Sequence, residues 1–433
     1  MKVAILGLGK QGLSAYNYWK KSGNQITICD ENNQLNVPGD AERKLGSNYL
    51  ENLDVFDLIV RSPSVHPKDI IKANSPQILD KVTTVTNEFF KVCPSQNIIG
   101  ITGTKGKGTT STLIAKILEA SGKKVHLGGN IGVAPLDMLE NNIGKDDYVV
   151  LELANFQLID IAYSPKIGVC LMVVPEHLDW HDDVNEYVAS KRQLFTHQKP
   201  EDIAIYLAEN ELSKKVVDVS KGKKIPYFAE PGAFVSGEKI IIDGNEICHI
   251  NKVKLLGKHN WQNICAAITC TWQITQDVPA IQSVLTSFSG LAHRLELIRD
   301  LNGIKFYDDS FATTPESSIV AIEALKEPKV VILGGSTKNA PYDELAKTIK
   351  NSNVRQVVAI GETGPDIISS LNKAGFTAIT PGGKSIEEIV SNAYKTAKTG
   401  DAVLLSPACA SFDMFKNYTD RGEKFKVAVL ALA

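Results

Sequence analysis

The stretch from Gly100 to Thr110, Gly-Ile-Thr-Gly-Thr-Lys-Gly-Lys-Gly-Thr-Thr, constrains the fold of this chain more than any other feature. An apolar run at 97–99 precedes it, and a helix-like run follows from Ser111. This order is typical of a phosphate-binding loop, because glycines let backbone N–H groups surround phosphate oxygens at a helix N-terminus. Gly108 stands where the strict pattern has Ser or Thr. The pattern predicts that Lys107 meets the outer phosphates of a nucleotide.

Length, charge and cysteine content restrict the class of protein. A chain of 433 residues is too long for one hydrophobic core, so two or three domains are expected. The formal net charge of -2 and the lack of a long basic run argue against a nucleic-acid partner. Seven scattered cysteines without a C-x-x-C pair favour a reduced compartment. No run approaches the roughly 18 apolar residues of a membrane helix, and the N-terminus is not a signal peptide. The sequence therefore predicts a cytoplasmic protein without membrane insertion.

Alternating strand-like and helix-like runs predict an α/β fold with mostly parallel sheets. We expect three domains: a Rossmann-like domain at 1–94, a central P-loop-type ATPase domain at 95–294, and a Rossmann-like α/β domain at 295–433. The first domain opens with a strand, a glycine loop at 7–12, a helix predicted from Leu13 to Lys21, and a second strand ending at Asp30. Ligands in such sheets bind beyond the carboxyl ends of the strands, so chemistry is expected there.

Two segments of the central region carry candidate metal ligands. Glu152 follows an apolar strand, where a carboxylate is well placed to hold Mg²⁺. His177 and His181 lie four residues apart with acidic residues between them, which leaves open a Mg²⁺ or phosphate loop, a surface turn, or a zinc site that lacks an evident third ligand. Lys191 lies on a probable helix, and periodicity alone predicts a solvated position for it.

Four further segments carry polar residues at loops. Asn260 and Asn263 lie three apart, so both could face one ligand. Arg294 lies at the expected domain junction, where it could grip phosphate as domains close. Small-residue loops at 334–338 and 406–412 follow strands and could receive a carboxylate.

The order of these motifs resembles the Mur ligases of peptidoglycan synthesis, over essentially the whole chain. The resemblance rests on the loop at 100–110, Glu152 with Phe156-Gln157, the His177 segment, the runs at 257–263 and 293–296, Asp309-Ser310, and the run at 406–422. It implies an ATP-dependent ligase in which a UDP-linked carboxylate attacks the γ-phosphate of ATP, and an amino-acid amine then attacks the resulting acyl phosphate. The run Ser-Pro-Ala-Cys-Ala-Ser-Phe-Asp-Met-Phe-Lys-Asn-Tyr at 406–418, with Arg421-Gly422, implies D-glutamate as the amino acid and UDP-N-acetylmuramoyl-L-alanine as its acceptor.

The resemblance also implies a role for individual residues. The catalytic set would be Lys107, Glu152, His177 and Lys191. ATP would contact Gly103, Thr104, Lys105, Gly106, Lys107, Gly108, Thr109, Thr110, Asn260, Asn263, Arg294 and Asp309. The UDP-sugar would contact Gly9, Lys10, Gln11, Gly12, Asp30, Asn130 and His177. D-glutamate would contact Thr313, Lys338, Ser411, Phe412 and Tyr418. Mg²⁺, or Mn²⁺ in its place, would be held by Glu152, His177, Thr109 and Lys191, the last as a carbamate. That role reverses the solvated position that periodicity predicts for Lys191. The protein would act as a monomer on small-molecule substrates.

The sequence departs from the family pattern at three places. Gly108 lacks the usual hydroxyl, for which Thr109 could substitute; Phe311 replaces a usual Lys; and Ala154-Asn155 replaces a usual Ser-Ser pair. These changes motivate the hypotheses of weak activity or an altered amino-acid choice.

Three alternative functions follow from other features of the sequence. The first is a sibling Mur ligase or a folylpolyglutamate-type ligase with another amino-acid substrate. The second is a dehydrogenase, suggested by Gly7, Gly9, Gly12 and Asp30, which leaves the phosphate loop unexplained. The third is a catalytically silent UDP-sugar-binding relative.

Overall fold

The computed structural model describes residues 1–255, 257, 259–337 and 340–433. The chain divides into two compact units, the first comprising 1–252 and 261–286 and the second comprising 253–260 and 287–433. Parallel sheets with intervening helices confirm the predicted α/β class. The division at residues 94 and 294 stays a prediction.

The first sheet of the first unit is parallel and has the strand order β3-β2-β1-β4-β5. Its strands are β1 Lys2–Leu6, β2 Gln25–Asp30, β3 Glu42–Leu45, β4 Leu58–Arg61 and β5 Val82–Thr84. Its helices are α1 Lys10–Lys20, α2 Pro67–Ala73 and α3 Val85–Val92. The strand order switches direction between β1 and β4, and a crevice at their carboxyl ends is the expected ligand position.

Helix α1 begins three residues before the predicted start at Leu13. Gly9 occupies the N-cap, and its carbonyl accepts the N–H of Leu13 at 2.9 Å. A Cβ at Gly12 would overlap the carbonyl oxygen of Gly7, so the first turn packs directly on the glycine loop. The prediction was wrong because this turn carries no large apolar side chain for periodicity to register.

The second sheet is also parallel, with the order β11-β10-β9-β6-β8-β7. Its strands are β6 Ile98–Thr102, β7 Val125–Gly129, β8 Tyr148–Glu152, β9 Ile167–Cys170, β10 Ile203–Leu207 and β11 Lys223–Tyr227. Its helices are α4 Lys107–Ala120, α5 Asn155–Leu158, α6 Val184–Thr196 and α7 Glu211–Val217. Strands β6, β8 and β9 are buried along almost their whole length, which explains their continuous apolar runs.

A small antiparallel sheet follows, formed by β12 Phe234–Ser236, β13 Lys239–Ile242 and β14 Asn245–His249. Helices α8 His259–Trp272 and α9 Val278–Ser287 come next in the chain.

The sheet of the second unit has the order β15-β16-β20-β17-β18-β19. Its strands are β15 Glu296–Leu301, β16 Ile304–Asp308, β17 Lys329–Gly334, β18 Val354–Ile360, β19 Ile379–Pro381 and β20 Ala402–Leu405. Its helices are α10 Pro315–Ala324, α11 Asp343–Asn351, α12 Gly364–Lys373, α13 Ile386–Thr396 and α14 Tyr418–Leu430. Only the β15–β16 pair in this sheet is antiparallel among the described residues.

The seven cysteines are all buried and none is in a disulfide. They are Cys29, Cys93, Cys170, Cys248, Cys265, Cys270 and Cys409. Among the described residues, no helix combines the length and apolarity that crossing a membrane requires.

Candidate active site

The glycine loop between β6 and α4 has the form of a phosphate-binding loop. Gly103 and Gly106 have φ angles of 141° and 93°, which favour glycine. A Cβ at Gly106 would overlap the side-chain oxygen of Asn263, so the loop turns tightly against helix α8. Helix α4 begins at Lys107 and directs its first N–H groups toward the loop.

Lys107 folds back over this loop. Its Nζ donates to the carbonyl oxygens of Gly103 and Thr104, both at 3.0 Å. The ammonium group therefore already lies at the concave side of the loop, where the outer phosphates of a nucleotide are expected.

The threonines of the loop differ in their contacts. The hydroxyl of Thr104 lies 2.7 Å from the hydroxyl of Tyr187, and the hydroxyl of Thr110 lies 3.4 Å from the side-chain oxygen of Asn263. Thr109 is buried next to Gly108, whereas Lys105 is exposed. Two of the predicted ATP-binding hydroxyls thus also hold the loop in place.

Glu152 is the last residue of β8, directly beside Ile101 of β6. Its side chain is 2% exposed, and Oε1 accepts from the Asn130 amide at 3.2 Å. Oε2 is buried and has no hydrogen-bond partner among the described residues. A buried carboxylate oxygen without a partner is costly, and a cation bound there would remove the cost. The residue therefore fits the predicted Mg²⁺ ligand.

Lys191 lies on the buried face of α6, so the solvated position predicted from periodicity was wrong. Its Nζ donates to the Gly103 carbonyl oxygen at 3.2 Å and lies 4.4 Å from the ring centre of Tyr187. Burial, and secondarily the positive charge of Lys107, lower the pKa of Lys191 to about 7. The group is therefore largely a neutral amine at slightly alkaline pH. Local periodicity missed this position because the partners come from another strand's loop.

His177 and His181 occupy different environments. His177 has a φ of 58°, its side chain is 41% exposed, and its ring centre lies 4.8 Å from that of Phe156. His181 is buried, and its Nε2 accepts from the Asn155 amide at 2.8 Å. His177 and His181 do not share a cluster of three candidate metal ligands among the described residues.

His181 instead groups with His66 and Glu186. The Nδ1 atom of His66 accepts from the Lys68 backbone N–H at 3.0 Å, so neutral His66 carries its proton on Nε2, which faces Glu186 at 3.7 Å. His181 likewise presents Nδ1 to Glu186 at 3.3 Å. Burial lowers the pKa of both histidines. With these tautomers His181 directs an N–H group at Glu186, whereas the buried Nε2 of His66 has no hydrogen-bond partner among the described residues.

The N-terminal glycine loop is fixed by Asp30. The carboxylate accepts from the backbone N–H of Leu8 at 2.9 Å and of Asn32 at 3.0 Å. Lys10 donates to the carbonyl oxygen of Gly132, in the segment that follows Asn130. Gln11 is partly exposed, and Gly9 and Lys10 are exposed. The structure thus brings the predicted UDP-sugar residues of 9–12 near the loop after β7.

Arg61 is a buried residue at this crevice that the sequence interpretation missed. Its guanidinium donates to both carboxylate oxygens of Asp160, at 2.7 and 2.5 Å, and to the Phe156 carbonyl oxygen at 3.0 Å. It is 1% exposed and ties the end of β4 to the segment after α5. The sequence did contain a signal for this residue, because Arg61 is a charged residue directly after the apolar run at 58–60.

In the second unit, Arg294 lies in an unusual turn. His293 and Leu295, on either side of it, have φ angles of 62° and 45°. The guanidinium carbon of Arg294 lies 3.9 Å from the ring centre of Phe311. Phe311 therefore contacts the predicted ATP-binding arginine directly.

Asp309 is buried and paired within the same unit. It accepts from the Ser406 hydroxyl at 2.7 Å and from the Leu295 backbone N–H at 3.2 Å. Burial raises the pKa of Asp309 to about 7, although both hydrogen bonds act in the opposite direction. The predicted ribose contact would therefore come from a carboxyl group that is partly protonated near neutral pH.

The predicted D-glutamate residues lie on three loops or helix starts of the second unit. Phe412 is 73% exposed, and its backbone N–H donates to the Ser336 hydroxyl at 3.1 Å. Ser411 is buried, Thr313 is partly exposed, and Tyr418 begins α14. The ring of Tyr418 lies edge-on to Phe311 at 5.0 Å. The fifth predicted residue, Lys338, lies outside the described residues.

Asn260, which was predicted to contact ATP, is buried in the first turn of α8.

The chain is similar to known proteins over nearly its whole length. Residues 101–271 match the family model of the Mur ligase middle domain, and residues 293–409 match that of the Mur ligase glutamate ligase domain. The chain is 37% identical to the UDP-N-acetylmuramoylalanine–D-glutamate ligase of Acetivibrio thermocellus, covering 99% of this chain and 96% of that protein. The enzyme of the same name from Clostridium tetani is 34% identical, with coverages of 98% and 95%.

Solved structures show the same fold at lower identity. The UDP-N-acetylmuramate–alanine ligase of Thermotoga maritima has a TM-score of 0.63 and 17% identity, covering 100% of this chain and 99% of that one. FolC of E. coli, solved in complex with DHPP and ADP, has a TM-score of 0.58 and 15% identity, covering 80% of this chain and 92% of that one. With its loop, strand-end carboxylate and full-length relatives, the chain belongs to the Mur ligase family.

Proposed function

We propose that this chain is the ATP-dependent ligase that joins D-glutamate to UDP-N-acetylmuramoyl-L-alanine in peptidoglycan precursor synthesis. The observation that carries the proposal is the half-unpaired Glu152 carboxylate at the end of β8, beside a phosphate-binding loop on β6. The names and full-length coverage of the relatives support the substrates.

In the proposed reaction the chain's residues neutralise the charge that moves with the phosphoryl group. The acceptor's carboxylate attacks the γ-phosphorus of ATP, ADP leaves, and the D-glutamate amine then displaces phosphate from the acyl phosphate. Lys107 and the N-terminus of α4 stabilise negative charge on the transferring phosphoryl group. Asn263, Arg294, Asp309 and Asn260 complete the nucleotide contacts in this proposal, together with loop residues 103–110.

Four residues would hold Mg²⁺ or Mn²⁺: Glu152, Thr109, His177 and a carbamate on Lys191. The metal would neutralise phosphate charge during transfer. A neutral amine is required to form a carbamate, and the pKa of about 7 supports Lys191 as that amine. Incorporation of isotopically labelled carbon dioxide at Lys191, read by NMR, tests this modification independently of catalysis.

The substrates would be recognised at the ends of the other sheets. We assign the UDP-sugar to Gly9, Lys10, Gln11, Gly12, Asp30, Asn130 and His177. We assign D-glutamate to Thr313, Lys338, Ser411, Phe412 and Tyr418. The proposal also includes the three domains at 1–94, 95–294 and 295–433, a monomeric state and a cytoplasmic location.

Phosphate release tests the proposed function. The protein is mixed with ATP, Mg²⁺ and UDP-N-acetylmuramoyl-L-alanine, with and without D-glutamate, and other amino acids are run in parallel. Release that requires both substrates and prefers D-glutamate supports the proposal, and Lys107→Ala should abolish it. Preference for another amino acid would retain the chemistry but reject the specificity. UDP-sugar binding without any release would indicate a catalytically silent relative.

A further inference from the structure

Thr363 occupies the N-cap of α12, but its hydroxyl does not cap that helix. A threonine at an N-cap usually accepts a backbone N–H from the first turn of its own helix. Here Oγ1 accepts from the N–H of Gly335 and donates to the carbonyl oxygen of Gly335, both at 3.0 Å. Thr363 is 1% exposed and Gly335 is buried, so these bonds form away from water. The side chain therefore stabilises the loop at 334–336, which we call the β17 loop.

Gly335 lies where the β17 loop meets the loop at 406–412, which we call the β20 loop. A Cβ at this position would overlap the carbonyl oxygen of Ala410, so the two backbones are in direct contact. A glycine has no side chain with which to hold its backbone in place, and a buried N–H needs a partner. The Thr363 hydroxyl is that partner, and the Thr363 N–H also donates to the Gly335 carbonyl oxygen at 3.0 Å.

Further hydrogen bonds join the two loops beyond Gly335. The N–H of Ser336 donates to the carbonyl oxygen of Ala410 at 3.0 Å, and the N–H of Phe412 donates to the Ser336 hydroxyl at 3.1 Å. A shift of the β17 loop would therefore move the β20 loop as well, including Ser411 and Phe412, which we assign to D-glutamate.

Cys409 links Thr363 directly to the β20 loop. Its Sγ lies 3.1 Å from the Thr363 hydroxyl and 3.2 Å from the hydroxyl of Tyr342, at the N-cap of α11. Because the Thr363 hydroxyl donates its one proton to Gly335, the thiol is the donor in its contact with Thr363. All three side chains are buried. Removing the hydroxyl of Thr363 would thus leave a buried polar group on each loop without its partner, which is costly.

We propose that Thr363 is a positioning residue, which holds the β17 and β20 loops in the arrangement that receives the carboxylate of the amino-acid substrate. This inference rests on the proposed function for its ligand and deepens it by naming the residue that fixes the site. Thr363 acts through Gly335 and Cys409 and does not itself need to touch the amino acid.

Three variants of the full chain test the role of the hydroxyl. Thr363→Val keeps the shape of the side chain but removes the hydroxyl, and Thr363→Ser keeps the hydroxyl. Thr396→Val removes a hydroxyl that donates within α13 of the same unit and is the control for lost stability. KM for D-glutamate, KM for ATP, kcat and the melting temperature are measured for each. Hydrogen–deuterium exchange of the peptide that contains 334–336, read by mass spectrometry, reports on the β17 loop without catalysis.

Thr363→Val should raise KM for D-glutamate by about threefold to tenfold, the range expected for the net worth of one hydrogen bond, and should leave KM for ATP unchanged. It should also speed exchange at 334–336, because the loop opens more often. Thr363→Ser should restore both values, and Thr396→Val should lower only the melting temperature.

An unchanged KM for D-glutamate in Thr363→Val would overturn the proposal, as would an equal rise in both KM values or a failure of Thr363→Ser to restore them. Rapid exchange at 334–336 in the wild-type protein would overturn it without any variant. The proposed function fails by a different result, namely no D-glutamate-dependent phosphate release by the wild-type protein. Because exchange is measured without substrates, the two failures are distinguishable.

Discussion

Lys107 and Lys191 donate from opposite elements to the same carbonyl oxygen, that of Gly103, at 3.0 and 3.2 Å. Two charged amines on one acceptor repel each other. Burial also disfavours the charged form, so the pKa is lowered at Lys191, the more buried of the two. The phosphate-binding loop thus holds two amines on one carbonyl oxygen, of which the Lys191 amine has the lowered pKa.

Removing the charge of Lys107 should raise the pKa of Lys191. In Lys107→Met the pKa of Lys191 should rise from about 7 but stay below its ordinary value of 10.5, because burial is the larger cause of the shift. NMR titration of protein carrying lysine labelled at the ε-carbon, in buffer free of carbon dioxide, measures this. Lys105→Met, at an exposed loop position, should leave it unchanged, and an unmoved Lys191 titration in Lys107→Met would contradict the shared-acceptor account.

Gly106→Ala should weaken nucleotide binding and destabilise the protein. An alanine at position 106 would have an unfavourable φ of 93°, and its Cβ would overlap the Asn263 side chain. Gly122→Ala is the matched control, because Gly122 has a φ of 77° but open space around its Cβ position. Both should lose about 1 kcal/mol of unfolding free energy from backbone strain, but calorimetry should show weakened ADP binding only in Gly106→Ala.

Asp160→Ala should destabilise the first unit because it leaves the buried Arg61 guanidinium without its carboxylate. Breaking a buried pair from one side costs about 3 kcal/mol or more. Asp182→Ala removes an exposed partner of Lys68 and should cost at most about 1 kcal/mol. Urea unfolding monitored by tryptophan fluorescence compares the two, and equal losses would show that Arg61 finds other partners.

Asp309 should make the folded state less stable as pH rises from about 4 to 7. Its pKa is raised from 3.8 to about 7 on folding, so the native state binds the proton more tightly across that window. Stability from this group is fully present below the unfolded pKa and falls by a few kcal/mol as the pH rises through the folded pKa. Asp309→Asn should remove that slope. Parallel slopes in thermal unfolding of both proteins from pH 4.5 to 7.5 would refute it.

Strands and glycine loops could be predicted from the sequence because their causes are local. Continuous apolar runs mark strands buried on both faces, and Gly103 and Gly106 are needed wherever the backbone turns with positive φ. The same logic placed Glu152 at the carboxyl end of its strand.

Contacts between distant segments could not be predicted in this way. The burial of Lys191 depends on Tyr187 and on a loop almost ninety positions away. Asn155 departs from the family pattern, and its structural role, a hydrogen bond to His181, is visible only in the structure. Phe311 was interpreted as a lost cation, and its contact with Arg294 appears only in three dimensions.

The buried thiols have a practical consequence. Cys29 lies in the first sheet, Cys170 in the second, and Cys409 beside the sheet of the second unit, and each is shielded from solvent in the native chain. A thiol reagent reaches such a side chain only when its surroundings open, so the labelling rate at each of these three cysteines reports transient opening of a different part of the molecule. If a substrate slows labelling at one cysteine alone, that substrate rigidifies the region around that cysteine, and no engineered probe is needed to detect it.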